Sequence, residues 1–261
     1  IHSKYIVIWA CNSISTNLHH WAIVNDAKKK GAKVVVIDSY KSRTAKEADW
    51  HICPKPGTDG ALAVSILNYI INNNLVDNEY VANHTNGFDE LKNHVQGKDS
   101  SWASEITGIP VEQIEKLASE MSTQQPVGIR IGVALERHNG GGQTIRSDTC
   151  IPALTGAWKH VGGGITQFPV WEHPYKFDVI CRPDWIPKGT RVVNALQIGR
   201  ALLGENLDKN IPIKSMMCWN ANPVTQAPET EKIIKGLERD DLFLVSAEHF
   251  ISDTASYADI L

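Results

Sequence analysis

The chain has 261 residues, 42% of them hydrophobic and 21% charged, a balance typical of a globular protein with one large or two modest domains. Its formal net charge of -3 provides no polybasic field, so nucleic acid is not an expected partner. No apolar stretch approaches the ~20 residues of a bilayer-spanning helix, so no direct membrane span is expected.

Tyr5 to Ala10, "YIVIWA", predicts a strand, and a polar loop, "CNSISTNLHH", follows it. Ala22 to Lys30 predicts a helix that closes at Gly31. "KVVVID" is a second strand, whose unbroken apolar run suits a parallel strand buried on both faces. "DWHICP" is a short third strand. "TDGALAVSILNYIINNN" is a helix with Thr58 and Asp59 as capping groups at its start. Residues 110–121 form a further helix with Pro110 in its first turn.

Near Pro126 the alternation restarts with "PVGIRIGV", followed by the glycine-rich "HNGGGQ", a helix from about Gln143 to Trp158, and "HVGGGI". Residues 165–190 show no period and predict a long irregular loop. Beyond it come a helix over 191–203, a strand in "IKSMMCW", a helix over 229–237 and a strand in "DLFLVSA". This is an α/β layout: two Rossmann-like units with mainly parallel sheets, the second incomplete. The composition break puts the boundary at 125, giving domains 1–125 and 126–261. No internal repeat or low-complexity tract stands out.

The five cysteines, Cys11, Cys53, Cys150, Cys181 and Cys218, form no C-x-x-C pair. They predict free thiols rather than a disulfide framework or a metal site made by this chain alone. They favour a reducing compartment, so a cytoplasmic location is expected, with a periplasmic one left open. The chain begins at Ile1 without an initiator Met or a signal-peptide layout, and ends in "SDTASYADIL". The expectation is a segment of a longer polypeptide.

In an open parallel sheet, ligands sit outside the carboxyl ends of the strands, where the strand order reverses. The loops "ACNSISTN", "DSYKSR" and "PGTD" all fall at such ends. An acid there, such as Asp38, can accept from a ribose or a base edge. Thr58 and Asp59 at a helix start combine side-chain acceptors with main-chain donors. The first loop has no G-x-G-x-x-G, so its contacts would come from side chains such as Asn12. Taken singly, each feature also reads as a turn or a cap, and both readings stand on the residues alone.

The stretches "IWACNSISTN", "VVVIDSYKSRTAKEADWHICPKPGTDGALA", "WASEITGIPVEQIEKLASEM", "TIRSDTCIPALTGAWKHVGGG", "CWNANPV" and "LVSAEHFISDTASYADIL", in this order, resemble the molybdopterin oxidoreductase family. This is the family of dimethyl sulfoxide reductase, nitrate reductase and formate dehydrogenase large subunits. The resemblance covers nearly the whole chain and is weakest over 165–190. It implies a central, cofactor-binding fragment of an enzyme that carries bis-molybdopterin guanine dinucleotide with molybdenum or tungsten. It also implies a [4Fe-4S] cluster in the full-length protein, with no cofactor and no activity expected in this fragment alone.

The resemblance further implies that Asp38 and Asp59 help bind the guanosine end of one dinucleotide, and that Asn12 and the turn residues Pro56, Gly57 and Thr58 contact the same cofactor. Gly132, Thr155, Gly156, Asn222, Glu248 and Thr254 would hold the second, between two units that face each other. Implied partners are the remaining domains of the same polypeptide and an iron–sulfur electron-transfer subunit.

The chain also departs from the pattern. Ser39-Tyr40 stands where Pro-Arg is common, which leaves Arg43 as the replacement basic contact, and Glu248 stands where Asp is usual. "ITQFPVWEHPYKF" replaces the Arg-Gly-Gln-Asn stretch of formate dehydrogenases, which counts against formate as substrate. A non-redox hydratase also belongs to the family, so electron transfer is itself an implication. No iron–sulfur cysteines and no metal ligand are present in this stretch. The other reading is a non-catalytic nucleotide-binding or regulatory α/β module. His19 and His20 read as surface or interface residues, His138 sits where a substrate or cofactor could pass, and His160, Glu172 and His173 match no ligand spacing. The tryptophans read as core, and no hydrolase motif stands out.

Overall fold

In the computed structural model, residues 1–168, 175–205 and 211–261 are described. His173 and Glu172, and part of the stretch expected to be irregular, lie outside them. The chain divides into two compact units, Ile1–Tyr175 and Lys176–Leu261.

The first unit opens with β1 (Tyr5–Trp9), α1 (Ser13–Thr16), α2 (Leu18–Lys29), β2 (Lys33–Ile37), α3 (Arg43–Glu47), β3 (Trp50–Ile52) and α4 (Asp59–Asn72). Then follow α5 (Asn78–His84), α6 (Phe88–His94), α7 (Ser100–Thr107), α8 (Val111–Thr123), β4 (Val127–Ile131), α9 (Gly141–Leu154) and β5 (Gly164–Thr166). The strands are all parallel, in the order β3-β2-β1-β4-β5.

Every residue of β1 is buried, because helices cover both faces. Tyr5, Val7 and Trp9 point into a large cluster with Leu62, Ile66 and Leu117 from α4 and α8. Ile6 and Ile8 point the other way, against Val24 of α2 and Ala45 of α3. On β4, Val127, Ile129 and Ile131 join the large cluster, while Gly128 and Arg130 alternate onto the α2 side and are half-buried.

The expected boundary at 125 does not coincide with the observed division. β4 lies beyond 125, yet it pairs with β1 along its full length, so 126–166 complete the first sheet. Three helices, α5 to α7, occupy 78–107, a stretch for which the sequence predicted no elements. Their apolar residues are sparse, and α6 packs only the part-buried Phe88 and Leu91 against the core.

The second unit holds α10 (Phe177–Cys181), α11 (Ile198–Leu202), β6 (Ser215–Trp219), α12 (Pro223–Gln226), α13 (Thr230–Leu237) and β7 (Phe243–Ala247). The helix expected over 191–203 is shorter than predicted, and α10 interrupts the stretch expected to be irregular. β6 and β7 are parallel. One face of the pair packs Cys218 and Leu244 against Leu202, Ile233 and Leu237. The other face leaves Met217 65% and Trp219 78% exposed.

Candidate functional site

β2 and β3 extend the first sheet to one side of β1, and β4 and β5 to the other. The strand order therefore reverses between β1 and β4, where a parallel sheet opens a crevice at its carboxyl end. A cleft of about 520 Å³ lies there, lined among others by Asn12, Asp38, Gly57, Asp59, Arg130 and Gly132.

Asp38 directly follows β2. Burial raises its carboxyl above the ordinary carboxylate range. The Tyr40 main-chain N–H, the His51 imidazole, the Ser39 N–H and the Ser42 hydroxyl pull the other way. Asp59 is the first residue of α4, and its Oδ1 accepts from the Trp9 indole N–H at 2.7 Å. The two carboxylates come from successive strand ends and line the same cleft.

Thr58 precedes α4, but its side chain does not cap the helix. Its hydroxyl donates back to the Lys55 carbonyl at 2.6 Å and closes the turn instead. Pro56 and Gly57 form that turn, with Gly57 at a φ of +77°, in the left-handed region open to glycine. A Cβ on Gly57 would stand 3.2 Å from His138 Nδ1, so the imidazole lies close against the turn.

Asn12 ties two loops together. Its Oδ1 accepts from the Thr44 hydroxyl at 2.9 Å and from the Thr44 N–H at 3.4 Å, while its Nδ2 donates to the Tyr40 hydroxyl at 3.3 Å. Arg43, next in the chain, is exposed and does not line the cleft. Its neighbour Thr44 is the residue drawn inward, so the basic contact expected from Arg43 is not brought to the site.

Gly132 follows β4 and donates its N–H to the Trp9 carbonyl at 2.8 Å. A Cβ there would fall 1.8 Å from the Ala10 carbonyl oxygen, so close approach of the two strand ends requires glycine. Gly132 thus belongs to the first unit's cleft rather than to a second domain. Thr155 and Gly156 do not reach the cleft. They follow the last turn of α9, whose first turn packs near Gly60, so the helix length of roughly 20 Å separates them from it. The Thr155 hydroxyl donates to the Ile151 carbonyl, and Gly156, at a φ of +61°, faces the Asp77 carboxylate.

The second unit repeats the first loop by loop. Asn222 Oδ1 accepts from the Thr254 hydroxyl at 2.7 Å and from its N–H at 3.1 Å, as Asn12 does from Thr44. The Thr44 hydroxyl accepts from the Ile14 N–H at 3.0 Å, and the Thr254 hydroxyl from the Val224 N–H at 3.1 Å. Asp49 caps Val34 N–H at 2.8 Å, and Asp259 caps Leu244 N–H at 2.7 Å. Ala10 and Asn220 share a φ of 50°. The spacing along the chain is constant from pair to pair, so this is an internal repeat, which reading the sequence alone did not reveal. Glu248 follows β7 where Asp38 follows β2, and its Oε1 accepts from the His249 N–H at 2.8 Å.

Arg130 and Tyr40 line the cleft although no sequence motif marks them. Only the alternation of "GIRIG", which puts a charged side chain on one face of a central strand, could have flagged Arg130. Among the described residues, no group of three or more His, Cys, Asp or Glu side chains is placed to hold a metal ion. No helix among them is long and apolar enough to cross a membrane.

The family profile described as "Molybdopterin oxidoreductase" matches residues 2–261. The chain is 40% identical over 262 residues to "Probable oxidoreductase YoaE" of Bacillus subtilis (strain 168), covering 100% of this chain and 38% of that protein. It is 28% identical over 308 residues to the dimethyl sulfoxide/trimethylamine N-oxide reductase of Rhodobacter capsulatus, covering 99% of this chain and 36% of the other. The acetylene hydratase of Pelobacter acetylenicus shares the fold, with a TM-score of 0.73 at 24% identity over 99% of this chain and 40% of that one. The chain therefore spans about two fifths of the relatives it matches, and it belongs to the molybdopterin oxidoreductase family.

Proposed function

We propose that the first unit holds the guanosine end of a molybdopterin guanine dinucleotide in the cleft between the β1 and β4 ends. The observation that carries this reading is the convergence of Asp38 and Asp59, two carboxylates from successive strand ends, on one cleft. A guanine edge offers neighbouring N–H donors, and a ribose offers hydroxyls. Carboxylates held at fixed strand ends accept such donors without reorganising. Pro56 and Gly57 let the chain pass close to the ligand, and Asn12 fixes the first loop against Thr44. In the second unit, Asn222, Glu248 and Thr254 repeat this arrangement and would hold a second dinucleotide.

The pterin, when bound, supplies the dithiolene ligands of a molybdenum or tungsten ion. This chain's residues bind and orient its nucleotide end. The complete protein would be an oxidoreductase assembled from this region and other domains of its polypeptide, with an iron–sulfur cluster and an iron–sulfur subunit as electron-transfer partners.

The test is Asp59→Asn in the complete protein. Guanine and pterin are measured after acid extraction, and molybdenum or tungsten by elemental analysis. Expected is a loss of both guanine nucleotide and metal relative to wild type. Wild-type content of both in Asp38→Asn and Asp59→Asn would overturn the assignment and favour a nucleotide-independent role for the unit.

A further inference from the structure

We propose that Arg130 is the side chain that takes the diphosphate of the nucleotide in the first unit's cleft. This rests on the nucleotide reading above and extends it to the ligand's anionic part. The cleft carries two carboxylates, Asp38 and Asp59. A diphosphate brought beside them is repelled by both carboxylates unless a cation faces it. Among the described residues that line the cleft, Arg130 is the one with a permanent positive charge. Arg43 does not line it.

None of the helix starts at the cleft supplies a cation, and at that of α2 the N-cap Asn17 side chain already accepts from the His20 N–H at 3.2 Å. α1 has four residues, too short to present an anion site. The start of α4 carries Asp59 in its first turn, a like charge that disfavours a second anion there. The first loop has no glycine-rich turn to bring main-chain donors around a phosphate.

The setting of Arg130 suits the task. It is the penultimate residue of β4 and points to the α2 side of the sheet. Its Nη1 donates to the Ile131 carbonyl at 3.1 Å and, more weakly, to the Thr166 carbonyl at 3.5 Å. Those carbonyls steady the guanidinium without neutralising it, and no carboxylate among the described residues pairs with it. A guanidinium has five N–H donors in a planar fork, so donors remain for two phosphate oxygens. β2 and β4 flank β1 about 10 Å apart. A base held at Asp38 and Asp59 and a diphosphate held at Arg130 would therefore span the strand-order reversal.

A reporter lies beside it. Burial lowers the His20 imidazole below its ordinary value, and the charge of Arg130 lowers it further. His20 Nδ1 stands 2.9 Å from the buried Ser13 hydroxyl. An anion seated on Arg130 offsets that charge and raises the His20 titration.

Titration calorimetry on the purified protein, with guanosine and with guanosine diphosphate as probes, tests this. Expected for Arg130→Gln is a loss of roughly tenfold or more in guanosine diphosphate affinity, with guanosine affinity unchanged. Arg130→Lys, which keeps the charge but loses the fork, should fall between. Arg137→Gln, an equal loss of charge outside the cleft lining, should change neither. Proton NMR should show guanosine diphosphate raising the His20 titration in wild type and not in Arg130→Gln. Wild-type guanosine diphosphate affinity in both Arg130 variants, with guanosine still bound, would overturn this inference and leave the nucleotide site standing. Binding of neither probe by the wild-type protein would overturn both.

Discussion

The Trp9 indole N–H donates to Asp59 Oδ1 across 2.7 Å, joining the last residue of β1 to the first residue of α4. Trp9 is fully buried and Asp59 reaches the cleft, so one bond couples the core to the candidate site. Replacing Trp9 by Phe removes a hydrogen bond to a charged group and leaves a partly filled space. The expected cost is about 2–4 kcal/mol in the first unit, read as a lower urea midpoint. A second consequence is looser placement of Asp59. If the cleft holds the nucleotide as proposed, the variant should also release guanosine diphosphate faster than a surface substitution of equal stability. A Trp9→Phe protein with an unchanged midpoint would show that the bond is incidental.

Asp148 is wholly buried in α9, and neither carboxyl oxygen has a protein partner. Burial raises its carboxyl well above the ordinary range, and the nearby Asp59 charge raises it further. A raised value means that the folded chain holds the proton more tightly than the unfolded one. The stabilisation is complete below the unfolded value of about 4 and is lost as pH climbs through the folded value. Asp148→Asn keeps the shape and removes the titration. Its stability relative to wild type should improve from pH 5 to pH 8, by equilibrium denaturation. A constant difference between the two proteins across that range would mean that Asp148 does not titrate there.

The repeated Asn–Thr lock gives a matched pair of experiments. Thr44 and Thr254 are both fully buried, and each hydroxyl accepts a main-chain N–H while donating to an asparagine. Valine fills the same volume but orphans the N–H of Ile14 or Val224, costing about 1–3 kcal/mol. Hydrogen exchange should show Thr44→Val loosening 11–17 and Thr254→Val loosening 221–227, by similar amounts. If one site tolerates valine and the other does not, the two locks are not equivalent in energy despite their matching geometry.

How far the sequence announced this structure depends on what each residue had to bury. β1, β2 and α4 bury long apolar runs, so Tyr5 to Trp9, Val34 to Ile37 and the "ALAVSIL" stretch were legible. α6 packs only Phe88 and Leu91, both part-buried, against the core, too short a period to read. The repeat was hidden because its pins are single small polar residues, such as Asn222, Ser252, Thr254 and Asp259, spread over a diverged scaffold. Asp38 and Asp59 could be placed at one crevice from strand ends alone. Thr155 and Gly156 could not, because their place depends on the direction in which α9 runs away from the cleft.

The fold requires glycine at Gly132 but not at Gly142. At Gly132 a Cβ would overlap the Ala10 carbonyl at 1.8 Å, and Ala10 itself has a φ of 50° and donates its N–H to the Ile37 carbonyl at 2.8 Å. Neither backbone can yield without breaking the β1–β4 pairing beneath the cleft. Gly132→Ala should therefore destabilise the first unit by several kcal/mol, in the range of severe overpacking. Gly142, in the first turn of α9, has nothing within 4 Å of a built Cβ. Alanine there restricts the unfolded chain and suits the helix, so Gly142→Ala should stabilise by about 0.4–1 kcal/mol. Thermal unfolding of the two variants beside wild type should move the midpoint in opposite directions. A Gly132→Ala protein that melts with the wild type would show that the two strand ends are farther apart than 2.8 Å hydrogen bonding between Gly132 and Trp9 implies.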